Sequence, residues 1–397
     1  MHNGKAFFDP SATSMSLSEV LMFLANPFKP DLRVRREALS LSAAGHRVRI
    51  LAWDRECSSP EEEEIEGVRV TRYRISAPYG EFLGLIPGFF RFYLALLLES
   101  IGSRPRVIHC HDLDTLLPGA MVSILTGASL VYDMHESYPD FIATFSPAVL
   151  VSFLRFIEPP LIRRSDLVIV TSTEIGAIAR RAGAERVTQV LNCFDPFPED
   201  DRARDLSDSL TGGTDFLVVY IGGLFPGRGL EEMTEAVSRV EGVTLFLGGY
   251  GPLDGELREL AERLGIGDRV VFGGEIDPSM VPVYDQAADL LFALYRGVDP
   301  NNLLTIPNKL FESFASGTPI LVSDLGEKSR IVKEQGNGLV VDPDDIDAIV
   351  ESIRSLKENA DLHSSLRKAA VENQGKYSWK EMSERLIEGY SEILAEA

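Results

Sequence analysis

The sequence predicts an α/β protein built from two doubly wound parallel sheets. Three observations lead there. Apolar, β-rich runs alternate with helical segments along the whole chain. A polar, Pro- and Gly-rich break divides that alternation into two halves. The 397 residues exceed what one core serves and suit two domains of about 150–200 residues each.

Taken in order, the runs VLMFLA (20–25), VRILAW (48–53), VIHC (107–110), LVYD (130–133) and LVIVTS (167–172) read as strands. Between them, Arg35–Ala44 reads as a helix stopped at Gly45, and Leu116–Leu125 as one stopped at Gly127. The stretch DPFPEDDRARDLSDSLTGGTD (195–215) is acidic and turn-rich, and reads as a linker. Alternation restarts with FLVVYIGG (216–223), VTLFLGG (243–249), RVVFGG (269–274), DLLFAL (289–294), PILVSD (319–324) and GLVVD (338–342). Such alternation wraps helices round a parallel sheet. Ligands bind beyond the carboxyl ends of its strands.

Composition narrows the function. Hydrophobic residues make up 45% and charged residues 25%, as in folded globular chains. A net charge of −21 disfavours nucleic acid as a partner. Residues 1–200 hold 20 Lys+Arg against 25 Asp+Glu, so most of the negative charge lies in the second half. The first half is therefore the one suited to an anionic acceptor or a lipid surface. Three widely spaced cysteines, Cys57, Cys110 and Cys193, point to a reducing compartment rather than a disulfide framework or a zinc site. The first twenty residues lack the pattern of a signal peptide. The most apolar stretch, Phe82–Leu98, is broken by Gly84, Pro87, Gly88 and Arg91 and reads as too interrupted to span a membrane. A cytoplasmic protein is expected. The surrounding segment, 79–101, reads as a core helix, with a helix lying on a bilayer to collect a lipid-linked acceptor as the second reading.

Six stretches carry candidate chemistry. In YIGGLFPGRGLEEMTEAV (220–237), Gly222, Gly223, Gly227 and Gly229 let backbone approach a ligand, and Arg228 stands where a helix begins. A glycine turn with a surface arginine has the same pattern. In FLGGYGPLDGELREL (246–260) the glycines approach a dinucleotide fingerprint, but the third comes one position late and no acidic partner follows. In IPNKLFESFASGTPILVSD (306–324), Pro307 suits a first helical turn, the amides of Asn308 and Lys309 face outward, and Lys309 adds charge. Glu312, one turn on, can accept two ribose hydroxyls, so the helix start describes a nucleoside diphosphate site. A capped helix with a solvated Glu is the plainer alternative. Finally, His109, His111, Asp112 and Asp114 end one strand, and Asp133, His135 and Glu136 end another. Three of the six histidines fall there, which marks an active-site edge. A divalent site of His111, Asp112 and Asp114 fits strand-to-loop geometry poorly. Asp31 and Arg33, with Arg35 and Arg36, open the first helix, where an anionic acceptor or plain solvent would face them.

With these residues in view, the chain resembles the retaining glycosyltransferases of family 4, the group 1 transferases of GT-B fold. The resemblance rests on Asp31, Arg33, Val34, Glu37 and Ala38, on Gly45-His46, on the His-x-His-Asp run at 109–112 and on Val131–Glu136. It continues in Pro307-Asn-Lys-Leu-Phe-Glu with Ser316-Gly-Thr-Pro behind it, and in YSWKEMSERLIEGYSEIL (377–394). It implies two Rossmann-like doubly wound domains facing a central cleft. Residues 1–200 would bind the acceptor, 211–377 would bind the nucleotide sugar, and a helix over 378–397 would cross back to the first domain. It implies donor contacts at Gly223, Arg228, Ile276, Asn308, Lys309 and Glu312, with His135 beside the reacting sugar. Acceptor-side candidates are Asp31, Arg33, His111, Asp112 and Glu136. No cofactor or metal is implied; a nucleotide sugar is the co-substrate, a glycan or lipid-linked molecule the acceptor, and peripheral membrane contact fits the first domain. Two departures stand out. The family's first glutamate falls on Leu304, and Gly223 stands where an arginine is common. A sugar-nucleotide 2-epimerase and a non-catalytic nucleotide-sugar-binding protein are the alternatives.

Overall fold

A computed structural model describes residues 19–29, 31–78, 82–143, 146–213, 216–297 and 300–396. The expectation about the first twenty residues falls almost wholly outside that range. The chain opens with β1 (Glu19–Leu24), α1 (Leu32–Ala43), β2 (Arg47–Asp54), β3 (Glu62–Ile65), β4 (Val68–Arg74) and the long α2 (Phe82–Ser103). It continues through β5 (Val107–His111), α3 (Leu113–Thr126), β6 (Ser129–Met134), α4 (Tyr138–Ile142) and α5 (Ala148–Arg164). Then come β7 (Leu167–Val170), α6 (Thr173–Ala182) and β8 (Val187–Gln189). These strands form one sheet in the order β3-β4-β2-β1-β5-β6-β7-β8.

The second half holds α7 (Arg202–Thr211), β9 (Phe216–Ile221), α8 (Leu230–Ser238), β10 (Val243–Gly248), α9 (Asp254–Arg263) and β11 (Val270–Gly274). It proceeds through α10 (Val281–Ala287), β12 (Leu290–Ala293), α11 (Pro300–Leu304), α12 (Asn308–Ser316) and β13 (Ile320–Ser323). It ends with α13 (Gly326–Gln335), β14 (Gly338–Val341), α14 (Ile346–Glu358), α15 (Ala360–Glu372) and α16 (Trp379–Glu396). Its sheet runs β11-β10-β9-β12-β13-β14. Contacts divide the chain into two compact units, Met1–Tyr132 with Ile393–Ala397, and Asp133–Glu392.

In the first unit, β1 lies parallel between β2 and β5, with Val20 opposite both Val48 and Val107. All three are buried, which is why these strands read as unbroken apolar runs. The N-terminus of α1 is capped by Asp31, whose carboxylate accepts from the Val34 amide at 3.2 Å. Strands β3 and β4 form an antiparallel hairpin that the alternation does not reveal. Its turn is Glu66-Gly67, both at positive φ, and its outer strand is the acidic run EEEI. Charge on an edge strand hides the apolar signal while guarding the edge.

Helix α2 corrects two expectations. It runs unbroken through Pro87 and Gly88, and Gly84–Ser103 is long and apolar enough to span a membrane. It is also not a core helix, because only 22% of that apolar window is buried. One side packs on the sheet: Phe92 stacks on Trp53 at 5.4 Å, and a Cβ at Gly88 would lie 2.7 Å from the Trp53 ring.

In the second unit, every pairing of the six-stranded sheet is parallel. Val218, Leu245, Leu290 and Phe292 join Leu230, Met233 and Ile353 in one core. The acidic segment expected as a linker contains α7, which packs against α10. At the other end of the chain, α16 packs on β7 and β8. There Gly389 lies against Leu167 and Thr188, and the Leu191 amide meets Met382 Sδ at 3.2 Å.

Candidate functional site

The strand order of the second sheet reverses at β9. From it the chain goes outward to β10 and β11, then returns to the other side for β12, β13 and β14. The carboxyl ends of β9 and β12 therefore bound a topological switch point, the place where open parallel sheets bind ligands. A cavity of about 190 Å³ opens there. Ile221, Gly222 and Gly223 line it from the end of β9, Tyr295 from the end of β12, and Asn308, Lys309 and Glu312 from α12; Arg228 completes it.

Backbone approach shapes its floor. The Gly222 amide donates to the Gly248 carbonyl at 2.9 Å, and the Leu224 amide to Tyr250 O at 2.9 Å. Gly249 has φ +124, and a Cβ there would sit 1.9 Å from the Gly222 oxygen. This close knitting accounts for the near-fingerprint of glycines at 248–251 without a dinucleotide. Ile276 is not part of the cavity lining. It packs beneath, 2.8 Å from where a Gly248 Cβ would be.

Helix α12 begins at Asn308 with Pro307 as N-cap and no side-chain cap, so its first amides face the cavity uncovered. Arg228 lies over the Tyr295 ring at 4.2 Å, which holds the guanidinium at the rim. Lys309 behaves differently from expectation. It is buried, and its ammonium donates to Glu312 rather than projecting into the cavity. Burial alone would lower its pKa, but the Glu312 and Asp285 carboxyls outweigh that and raise it. Lys309 thus fixes the Glu312 carboxylate at the cavity wall.

Asp285, on α10, went unnoticed in the sequence. It is fully buried, neither carboxyl oxygen has a hydrogen-bond partner, and burial pushes its pKa up to about 8. Lys309 opposes that rise and Glu312 adds to it. Three ionisable groups therefore share one buried space behind the cavity. The only sequence signal was one acid inside the apolar run VPVYDQAA (281–288).

At the end of β6, the His135 ring nitrogen Nε2 meets Asp133 Oδ2 at 2.7 Å; Asp133 is fully buried and His135 partly open. Thr171 Oγ1 donates to the His135 carbonyl at 2.6 Å, fixing the backbone as well. Glu136 accepts from Asn301 Nδ2 at 2.7 Å, which ties this strand end to α11, seven residues before Asn308. Helix α11 is pinned twice more: Ser172 Oγ donates to Leu304 O at 2.5 Å and Lys328 Nζ to Asn302 O at 2.6 Å. Burial pushes the Lys328 ammonium down to about 8. Asn301 and Lys328 were missed because neither lies in a recognisable motif.

The remaining candidates belong to the first unit. Asp31 is occupied as the cap of α1 and by Asn26 Nδ2 at 3.0 Å. Arg33 is buried against Glu37 at 3.1 Å, not displayed at a mouth. His111 is buried and stacked on His109, with ring centroids 4.4 Å apart. Asp112 adopts φ 62 at the turn into α3. Among the described residues, the metal-capable grouping here includes Glu37, His109 and His111, all buried with ligand atoms within 4.8 Å of one another, and does not include Asp112 or Asp114.

Comparison with known proteins identifies the family and the fold. The family described as Glycosyl transferases group 1 matches residues 201–373, and the Glycosyl transferase 4-like domain matches 30–193. A sulfoquinovosyl transferase of Arabidopsis thaliana is 24% identical over 80% of this chain, which spans 62% of that relative's length. A sucrose-phosphate synthase from Thermosynechococcus elongatus superposes with a TM-score of 0.79 at 20% identity, over 96% of this chain and all of that one. Anabaena HepE, solved with UDP-glucose, gives 0.73 at 18% identity over 94% and 99%. The chain belongs to the group 1 glycosyltransferases, with a 4-like domain in its first half, and has the GT-B architecture of two Rossmann-like parallel-sheet domains.

Proposed function

We propose that this chain transfers a sugar from a nucleoside diphosphate sugar to a glycan, lipid-linked or other small acceptor, with retention of anomeric configuration and without a metal ion. The observation that carries this reading is the switch-point cavity walled by Arg228, the open N-terminus of α12 and the Lys309-held Glu312. Glu312 accepts the ribose hydroxyls; the glycine turn at 222–223, the amides of Asn308 and Lys309, and Arg228 receive the diphosphate. Ile276 borders the base. The anomeric carbon–phosphate oxygen bond breaks, and the acceptor oxygen bonds to the same face of that carbon. The acceptor proton passes to the departing phosphate. Arg228 and the helix dipole offset the leaving charge, while His135, oriented by Asp133, steadies the sugar as positive charge develops at its ring.

Leu304 brings no carboxylate to the sugar, so the polar groups on that segment are Asn301 and Asn302. Work in the cytoplasm, with contact at a membrane face, is part of the same proposal; it is supported by three cysteines that form no disulfide. Calorimetric titration with UDP, GDP and ADP, followed by incubation with labelled donors and product detection, tests it. Transfer to an acceptor is expected. Binding without turnover supports the non-catalytic alternative, and free nucleotide with an altered monosaccharide supports an epimerase.

A further inference from the structure

Behind the switch-point cavity lies one carboxyl group that the transfer reading leaves unused. Asp285 on α10 is wholly buried, and neither of its carboxyl oxygens has a hydrogen-bond partner. An ionised carboxylate in that setting has lost its water and gained no donor in exchange, so the neutral acid is the favoured form. Its backbone is fixed, since Thr318 Oγ1 donates to the Asp285 carbonyl at 2.7 Å. The cation that reaches it is Lys309, whose ammonium donates to Glu312 instead.

The charges around Asp285 come from one direction. Helix α12 packs on α10 and brings both Lys309 and Glu312 to bear on it. The other elements on α10 add none. Helix α7 carries Arg202, Arg204, Asp205 and Asp208, and β9 carries Tyr220, yet none of them acts on Asp285. On α10 itself, Tyr284 is stacked on Phe246 at 4.5 Å.

This arrangement has two charge states. With Asp285 neutral, Lys309 and Glu312 balance, and the space behind the cavity carries no net charge. With Asp285 ionised, the same space holds one negative charge in low dielectric, and Asp285 competes with Glu312 for Lys309. A nucleoside diphosphate is anionic and favours the first state. Binding must then draw a proton onto Asp285 wherever the free protein has begun to lose it. Burial raises the Asp285 pKa to about 8, which puts that loss just above neutral pH.

We propose that Asp285 is a positioning residue that must hold a proton for Lys309 to keep Glu312 at the cavity wall, so that a nucleoside diphosphate binds with uptake of a proton at this buried carboxyl. The proposal rests on the nucleotide-site reading given above.

Calorimetric titration of the full chain with UDP, GDP and ADP at about pH 8.5, in two buffers of different ionisation enthalpy, reads the coupling. The phosphates, with a second pKa of about 6, are already ionised there and take up no proton. The binding heat of the wild type should differ between the two buffers in the sense of proton uptake. Its affinity should fall about three- to tenfold between about pH 7 and about pH 9. Asp285→Asn keeps the volume and cannot ionise, so its heats should be equal in both buffers and its affinity constant over that range. Asp285→Leu serves as a second uncharged variant if the asparagine fails to fold. Equal heats for the wild type would overturn the proposal. So would uptake that persists in both variants, because the proton would then sit on another group, such as Lys328, whose ammonium is pushed down to about 8. Binding without uptake removes this proposal and leaves the nucleotide site standing, whereas no binding of any of the three nucleotides removes both.

Discussion

Glu312 works through its neighbours, and substitutions around it should separate binding from stability. Glu312→Ala removes the proposed ribose acceptor and should weaken nucleoside diphosphate binding by about 1–3 kcal/mol. It also leaves the buried Lys309 ammonium with Asp285 as its remaining acidic neighbour, so the thermal midpoint should fall too. Glu312→Gln should keep the fold better than Ala while still losing affinity, as calorimetry and melting together would show. His135→Ala should spare nucleotide affinity and lower turnover, because it is held by Asp133 and its proposed place is on the sugar side; equal loss of both would mark a structural histidine. Asp285 makes a pH prediction. Its pKa is raised from 3.8 to about 8 in the native state, so the native protein holds a proton that the unfolded chain gives up. Stability from this group is full below about pH 4 and falls as pH rises through 8, by up to about 1.4 kcal/mol per unit. Asp285→Asn should flatten that part of the stability–pH curve measured by denaturant titration; an unchanged curve would show that Asp285 is not protonated in the native state.

Elements set how much was legible in advance. Strands β1, β2, β5, β6, β7, β9, β10, β12 and β13 were readable because strands buried on both faces are continuous apolar runs, with glycine helix stops such as Gly127 between them. The β3–β4 hairpin was not, since its acidic edge strand lacks alternation. Helix α7 was hidden by an acidic composition that also describes linkers. Helix α2 was misjudged twice, because periodicity shows that a helix has an apolar face but not how many faces are covered. The motif positions at 222–228 and 308–312 did converge on one cavity, whereas Asp285, Asn301 and Lys328 act through tertiary neighbours that no local spacing encodes. The floor of the cavity gives a test at this scale. Gly249→Ala would force a Cβ into the Gly222 carbonyl at positive φ, which should cost about 1–3 kcal/mol of stability and abolish nucleotide binding; a variant that melts and binds like wild type would refute the described packing of β9 on β10.

At the scale of the whole molecule, the charge pattern and the site are reconciled by locality. The half of the chain proposed to take the anionic donor is the more acidic half, so on that proposal attraction must come from close groups: one arginine, uncapped amides at one helix end, and a glycine turn. That arrangement makes a sharp claim, because nothing in the overall field helps it. Calorimetric titration of the intact chain with UDP, GDP and ADP, in parallel with Arg228→Ala, examines it most directly. One of the three nucleotides should bind at one site per chain, with affinity reduced at least about tenfold in the variant. If none of them binds, or if Arg228→Ala binds as tightly as the wild type, the diphosphate does not sit at this switch point.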